Sequence, residues 1–283
     1  MKKMNSMRKL FVYVMIVVLL TNSEVFYAKS NMVPNYEVKL LLDSDKVLNS
    51  SEELKKDYRS ILNTGKNYKM ISVLYIDTED KAFNSEGWIN RIRVKEDSSK
   101  FELSYKKRYA VSDGNITAAL DKANTEGFDS SDTNYEAQID WGYNNMTLSI
   151  TRNKEVSNKG YGELELPKKS EAISILKEEM PGKEVNWKGD NWGTKLIENG
   201  KKYGEVYYKK YEGEYEGISF AVEVWEIVNQ TTGGTEYITE LSFKEDTYEA
   251  ANVRRAQMMK VLDDYGILVH GDSLKTQKVL NSR

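Results

Sequence analysis

The sequence has no cysteine, a single histidine and three prolines. Without thiols there is no disulfide, no cysteine nucleophile and no zinc site built on thiolates. The one imidazole, His270, lies close to the C-terminus in a polar stretch. That argues against a Ser-His or Cys-His catalytic pair and removes histidine-rich metal sites. A basic excess is missing too. The formal net charge is −3, so the chain as a whole cannot neutralise a nucleic-acid backbone, and a polyanion would have to be caught locally by clustered lysine and arginine. Ionic chemistry is left to carboxylates, lysine, arginine and tyrosine. A metal would be a hard, oxygen-bound ion such as Mg²⁺, Mn²⁺ or Ca²⁺. Few prolines and nineteen tyrosines suit a β-rich fold with long regular elements.

Long hydrophobic runs are equally scarce. Leu10 to Leu20 is an unbroken apolar stretch preceded by Lys2, Lys3 and Arg8. It is too short to span a bilayer and reads as the core of a secretory signal peptide over residues 1–28, with Ala28 at the cleavage point. The expected mature protein, residues 29–283, is secreted from a Gram-positive type of cell and keeps no membrane span. No repeat, low-complexity run or linker divides it, so one domain is expected.

What is present in quantity is strict alternation. Between Tyr75 and Arg108 the chain reads as three strands separated by Asp77-Thr78-Glu79-Asp80 and Glu96-Asp97-Ser98-Ser99. Arg91, Arg93 and Lys95 share one face of the middle strand, and Ile92 and Val94 share the other. Glu102, Ser104, Lys106 and Arg108 oppose Phe101, Leu103 and Tyr105 in the next. The same pattern recurs at Tyr36–Leu42 (Glu37 and Lys39 on one face), Tyr135–Trp141 (Glu136, Gln138 and Asp140), Ile218–Val228 (Glu223) and Glu236–Lys244 (Glu240 and Lys244). Met146–Arg152 also alternates, but Arg152 falls on the apolar parity, which places it past the strand end or after a bulge. Helices are expected over Glu52–Leu62, Asn115–Asn124, Ser170–Met180 and Glu249–Tyr265. Asp77 reads as a turn cap.

An open sheet would put the charged faces in water and leave the helices to cover the apolar ones. A closed barrel would turn the same charges inward, giving a lumen lined by both signs. Such a lumen is unfavourable unless its charges are neutralised, and a polyanion on the cationic side with a divalent cation on the acidic side would do so.

Several segments together resemble the CYTH family, the triphosphate tunnel metalloenzymes. These are Asn35-Tyr36-Glu37-Val38-Lys39, then Tyr75-Ile76-Asp77-Thr78, Gly87, Arg91-Ile92-Arg93, Leu103-Ser104-Tyr105-Lys106, Thr239-Glu240-Leu241-Ser242 and Ser273-Leu274-Lys275-Thr276. The resemblance implies an α+β fold, an eight-stranded antiparallel β tunnel with flanking helices. It implies that Lys39, Arg91, Arg93, Lys106 and Arg152 hold phosphate oxygens and that Lys275 closes over one end. Glu37, Glu136 and Glu240 would hold Mg²⁺ or Mn²⁺, with Lys39 and Glu37 at the catalytic centre. The function so implied is metal-dependent hydrolysis of a triphosphate or short polyphosphate. Two departures stand out: Asn35 and Ser242 occupy positions where the family has glutamate. They make a second reading necessary, a tunnel that binds polyphosphate or another anion without turnover. A third is a secreted structural barrel whose lumen is filled by internal salt bridges.

Overall fold

A computed structural model describes residues 29–228, 233–272 and 275–281. The expected signal peptide lies outside the described residues, as do Ser273 and Leu274. Among the described residues no helix is long and apolar enough to cross a membrane.

Among the described residues nine strands close into one barrel. In chain order they are β1 Asn35–Leu42, β2 Lys69–Asp77, β3 Trp88–Lys95, β4 Lys100–Val111, β5 Glu136–Trp141, β6 Met146–Ser157, β7 Lys201–Tyr215, β8 Ile218–Val228 and β9 Thr235–Glu245. Around the wall they run β1-β5-β6-β4-β3-β2-β7-β8-β9. The expected count of eight, all antiparallel, is therefore corrected in two linked ways. A ring with an odd number of strands cannot alternate direction throughout, so one parallel seam is forced. It falls between β1 and β5, where Glu37 lies beside Asp140; the other neighbours are antiparallel.

The strands turn an apolar side outward, and β2 is apolar on both faces, with Ile71, Val73 and Tyr75 on the lumen side. Val38, Leu40, Ile92, Leu103, Tyr105, Ile139, Ile150, Val222 and Leu241 are buried in one continuous core outside the barrel. Helices cover that face. Met258 and Leu262 come from the helix Tyr248–Asp264, and Ala172 and Leu176 from the helix Lys169–Glu179. The Tyr105 hydroxyl crosses to the second of these and donates to the Leu176 carbonyl at 2.8 Å. Two short helices, Gly182–Val185 and Trp192–Ile197, add to the same cover on the outer wall. Near the N-terminus the expected helix from Glu52 begins only at Lys56, because Leu54 pairs with Leu48 in an isolated bridge.

Two local devices hold the cationic wall in register. Asp77, at the end of β2, accepts backbone N–H groups from Thr78 (2.7 Å), Phe83 (2.9 Å) and Asn84 (2.9 Å), capping the turn as its sequence context suggests. Gly87 then enters β3 with φ of 77°, and a Cβ there would sit 2.8 Å from the Arg108 carbonyl oxygen. Only glycine lets the two backbones come so close, and the Arg108 N–H donates to the Gly87 carbonyl at 2.9 Å.

Candidate functional site

The polar faces meet inside the barrel. Register makes this explicit: Arg91 lies opposite Ser104, Arg93 opposite Glu102, Ser104 opposite Asn153, and Arg108 opposite Ser149. On the far side Glu223 lies opposite Glu240. Paired residues share a face, so these side chains point into one lumen.

The β3–β4 wall is cationic and only partly compensated. Arg91 donates from Nη2 to Ser104 Oγ at 2.9 Å, and Ser104 is in turn 2.8 Å from Asn153 Oδ1. The Nε atoms of Arg91 and Arg108 are both buried without a hydrogen-bond partner. Among the described residues, neither guanidinium has a carboxylate within salt-bridge distance. Arg93 differs. It donates from Nε to Glu102 Oε2 at 2.9 Å, and Lys95 pairs with the same carboxylate. Lys106 has Asp140 3.9 Å away as its counterion. Burial is the chief cause that pushes the Lys106 ammonium down to about 7. Asp140 opposes the fall, and the nearby charges of Lys39, Arg108 and Arg91 reinforce it.

The acidic groups are already bound by lysines. Lys39 Nζ sits 2.9 Å from Glu37 and 2.8 Å from Asp140. Burial works against ionisation of all three, yet mutual attraction wins: Glu37 is lowered, Asp140 falls well below the usual carboxylate range, and Lys39 is raised. Gln138 Nε2 donates to both carboxylates, at 2.6 Å to Glu37 and 2.7 Å to Asp140. On the opposite wall Lys275 Nζ lies 2.8 Å from Glu223 and 2.8 Å from Glu240. Burial resists the charge on Glu223, but Lys275 and the Trp225 indole N–H bring it down to about 2. Lys275 begins the helix Lys275–Asn281, whose Val279 and Leu280 are buried against Ile71, Tyr75, Tyr203, Trp225 and Ile238. That helix stops one end of the barrel with an apolar contact. Lys275 stands at that helix's start as the partner of two carboxylates.

The structure thus gathers Lys39, Arg91, Arg93, Lys106 and Lys275 around one lumen, with Glu37 and Glu240. Arg152 is not among them. β6 runs without a bulge to Ser157, and Arg152 pairs with the outward-facing Tyr105. Its guanidinium lies over the Tyr135 ring at 5.7 Å, outside the barrel. Glu136 shares the inner face but sits at a more exposed position, accepting from Asn35 Nδ2 at 2.6 Å and pairing with Lys244 at 3.4 Å. Two residues of the site were not singled out by the sequence reading, Asp140 as an acidic centre and Arg108 as an anion ligand. Their parity with Glu136 and Lys106 was the available signal.

The expected metal ligands do not assemble. Glu37, Glu136 and Glu240 each have a separate ammonium partner, and among the described residues no three carboxylates or imidazoles gather into a metal-binding set. Asn35 Oδ1 and Glu240 Oε2 are buried oxygens without partners, but they belong to different clusters. The residues present do not fit a Mg²⁺ or Mn²⁺ ion held by that triad. A cavity of about 820 Å³ lies between the Asp43–Ser50 segment and the start of β9. It is separate from the Arg91–Lys106–Arg108 wall.

No family model matches the chain. No curated protein matches it either. Solved structures do. A protein from Hippeastrum, designated an adenylyl cyclase and described as having a dominant triphosphatase activity, is similar over 85% of this chain and 92% of its own, at 15% identity and a TM-score of 0.51. A protein from Bacillus halodurans designated an adenylate cyclase is similar over 88% of this chain and 98% of its own, at 14% identity and TM-score 0.45. A third, from Pyrococcus horikoshii, covers 88% of this chain and 100% of its own at 13% identity and TM-score 0.42. The first of these shows a shared fold, and at that level the CYTH resemblance read from the sequence is borne out.

Proposed function

We propose that the protein binds the phosphates of a triphosphate or short polyphosphate inside the barrel. The observation that carries this reading is the β3–β4 wall. Arg91, Lys106 and Arg108 project together into an enclosed space, two guanidinium Nε atoms lack partners, and Lys106 is held short of full protonation. Buried cations of one sign, with a single counterion that Lys39 also claims, are unfavourable on their own account. Phosphate oxygens would relieve them. Arginine offers two parallel N–H donors to such oxygens, and lysine a compact charge. The shared fold with the Hippeastrum protein supports the same ligand class. A structural barrel filled by its own salt bridges would have no reason to leave Arg91 and Arg108 without carboxylates.

Hydrolysis of the bound phosphoanhydride is the second reading, and one observation favours it. The Hippeastrum protein of the same fold is described as having a dominant triphosphatase activity, although Lys106, which bound phosphate would keep protonated, could not serve as the general base. Lys39 is not suited to that task, because Glu37 and Asp140 keep it charged; it would neutralise and orient.

Titration calorimetry with tripolyphosphate tests both readings. The wild type is expected to bind one equivalent. Arg91→Ala and Arg108→Ala should each weaken binding by roughly tenfold to a hundredfold, as expected for charged hydrogen bonds of about 1.5–3 kcal/mol. Unchanged affinity in both variants would remove the tunnel as the binding site. Phosphate release in the same samples separates turnover from binding alone. The proposed location is outside the cell. The secreted protein should begin near Lys29 by intact mass, and an N-terminus still at Met1 would contradict export by a cleaved signal.

A further inference from the structure

We propose that the Lys275 ammonium is the resident counterion of the Glu223–Glu240 pair, and that the tunnel therefore takes up its anion without a divalent metal ion. The second half of this rests on the anion-binding reading above; the first half does not.

Glu223 and Glu240 face each other directly across the β8–β9 ladder. Two carboxylates so placed repel one another and require a cation between them. The chain supplies one. Lys275 Nζ is 2.8 Å from an oxygen of each. The ammonium is held from several sides: its nitrogen lies 4.7 Å from the centre of the Trp225 ring, and that indole donates to Glu223 Oε2 at 2.8 Å. Val279 and Leu280, on the same short helix, are sunk in the apolar end of the barrel. Lys275 is thus anchored by packing as well as by charge.

The rest of the acidic side is arranged consistently. A hard divalent ion seeks several charged oxygens. Here Asn35 and Ser242 provide neutral groups on the lumen face, and Glu37 is claimed by Lys39. A metal entering between Glu223 and Glu240 would have to expel a buried ammonium with two short ion pairs and leave that charge without a partner. Glu240 Oε2, buried and without a partner, shows that the pair keeps spare coordinating capacity. Removing the ammonium should therefore uncover a cation site.

The test uses the mature chain stripped with a chelator. Mn²⁺ binding is followed by electron paramagnetic resonance, and tripolyphosphate binding by calorimetry in EDTA and in Mg²⁺. The wild type should show no stoichiometric Mn²⁺ site in the micromolar range, and it should bind tripolyphosphate in EDTA, where no divalent ion is free. Lys275→Met should bind one Mn²⁺ at least tenfold more tightly than the wild type. A micromolar Mn²⁺ site in the wild type, or tripolyphosphate binding that vanishes in EDTA, would overturn the proposal. So would a folded Lys275→Met protein with no gain in Mn²⁺ affinity. If that variant does not fold, Lys275→Gln and the wild-type titrations decide. If the wild type binds no tripolyphosphate in either buffer, the anion-binding reading falls, and the Mn²⁺ titrations alone judge the counterion.

Discussion

Lys106→Met is expected to make the ligand-free protein more stable and to weaken tripolyphosphate binding at least tenfold. The two effects have one origin. Lys106 is buried among like charges, and its ammonium is pushed down to about 7. In the unfolded chain the same group keeps the ordinary lysine value near 10.4. Below that value the unfolded state binds a proton that the folded state resists, so the group opposes folding. The penalty is largest below pH 7 and fades as the pH rises towards the unfolded value. Near neutrality the difference corresponds to about 4 kcal/mol at most. Methionine has similar length and no charge, and Asp140 would retain Lys39 at 2.8 Å. A net gain of about 2 kcal/mol is expected, raising the melting temperature by roughly 4–8 °C for a chain of this size. Bound phosphate reverses the balance by favouring the protonated amine. Binding then takes up a proton above pH 7, and wild-type affinity should fall by up to about tenfold per pH unit from there upward. In Lys106→Met that component should disappear. A variant that is less stable than the wild type, or that keeps the same pH slope, would show that Lys106 is not the uncompensated group.

The barrel thus holds destabilising charge on one wall and neutralised charge on the other. Lys39 and Lys275 each bridge two carboxylates, whereas Arg91, Lys106 and Arg108 share little acidic compensation. Such an imbalance inside an otherwise apolar shell is the kind of local conflict that binding relieves. The apolar outer core, running from Val38 to Leu262, offsets its cost.

Alternation in the sequence was enough to place Arg91, Arg93, Lys106, Glu37 and Glu240 on inward faces, because side chains in a strand have a period of two and every one of these strands has an apolar back. The same rule would have placed Arg152 correctly. Expecting it inside required a bulge that β6 does not have. Asp140 and Arg108 have the right parity but lie in none of the segments that resemble the CYTH family. The pairing of Lys39 with Asp140 could not be seen. It depends on β1 lying parallel to β5, a neighbour about a hundred residues away that only closure of an odd-numbered ring brings alongside. Lys275 was placed at one end from a short motif. Its two carboxylate partners depend on how a terminal helix docks, which local pattern does not encode. Residues 187–200 show no clear period in the sequence because the helix there, Trp192–Ile197, is only a turn or so long.

Glu184→Gln should stabilise the protein at neutral pH by about 2–3 kcal/mol and leave the lumen untouched. Glu184 lies outside the barrel, fully buried under the outer cover. Asn90 Nδ2 donates to its Oε1 at 2.8 Å, while Oε2 is buried without a partner. Burial raises its carboxyl to about 8; the Asn90 hydrogen bond opposes that rise, and the charge of Asp77 adds to it. The group is therefore mostly protonated in the folded protein at pH 7, but ionised in the unfolded chain above the ordinary value near 4.3. Between those two values the folded state holds a proton that unfolding releases, so stability falls as pH rises through that window and levels off above about 8. Glutamine accepts the same hydrogen bond from Asn90 and has no charge to lose, so its stability curve should be flat where the wild type declines. Below about pH 4 the two proteins should melt together. Glu184→Leu makes the contrast. It also removes the charge, but it strands the Asn90 amide in the core, a loss of about 1–3 kcal/mol that should cancel most of the gain. Melting curves of the three proteins from pH 4 to pH 9 separate these cases. A parallel decline in the wild type and Glu184→Gln would mean that Glu184 does not carry the buried proton.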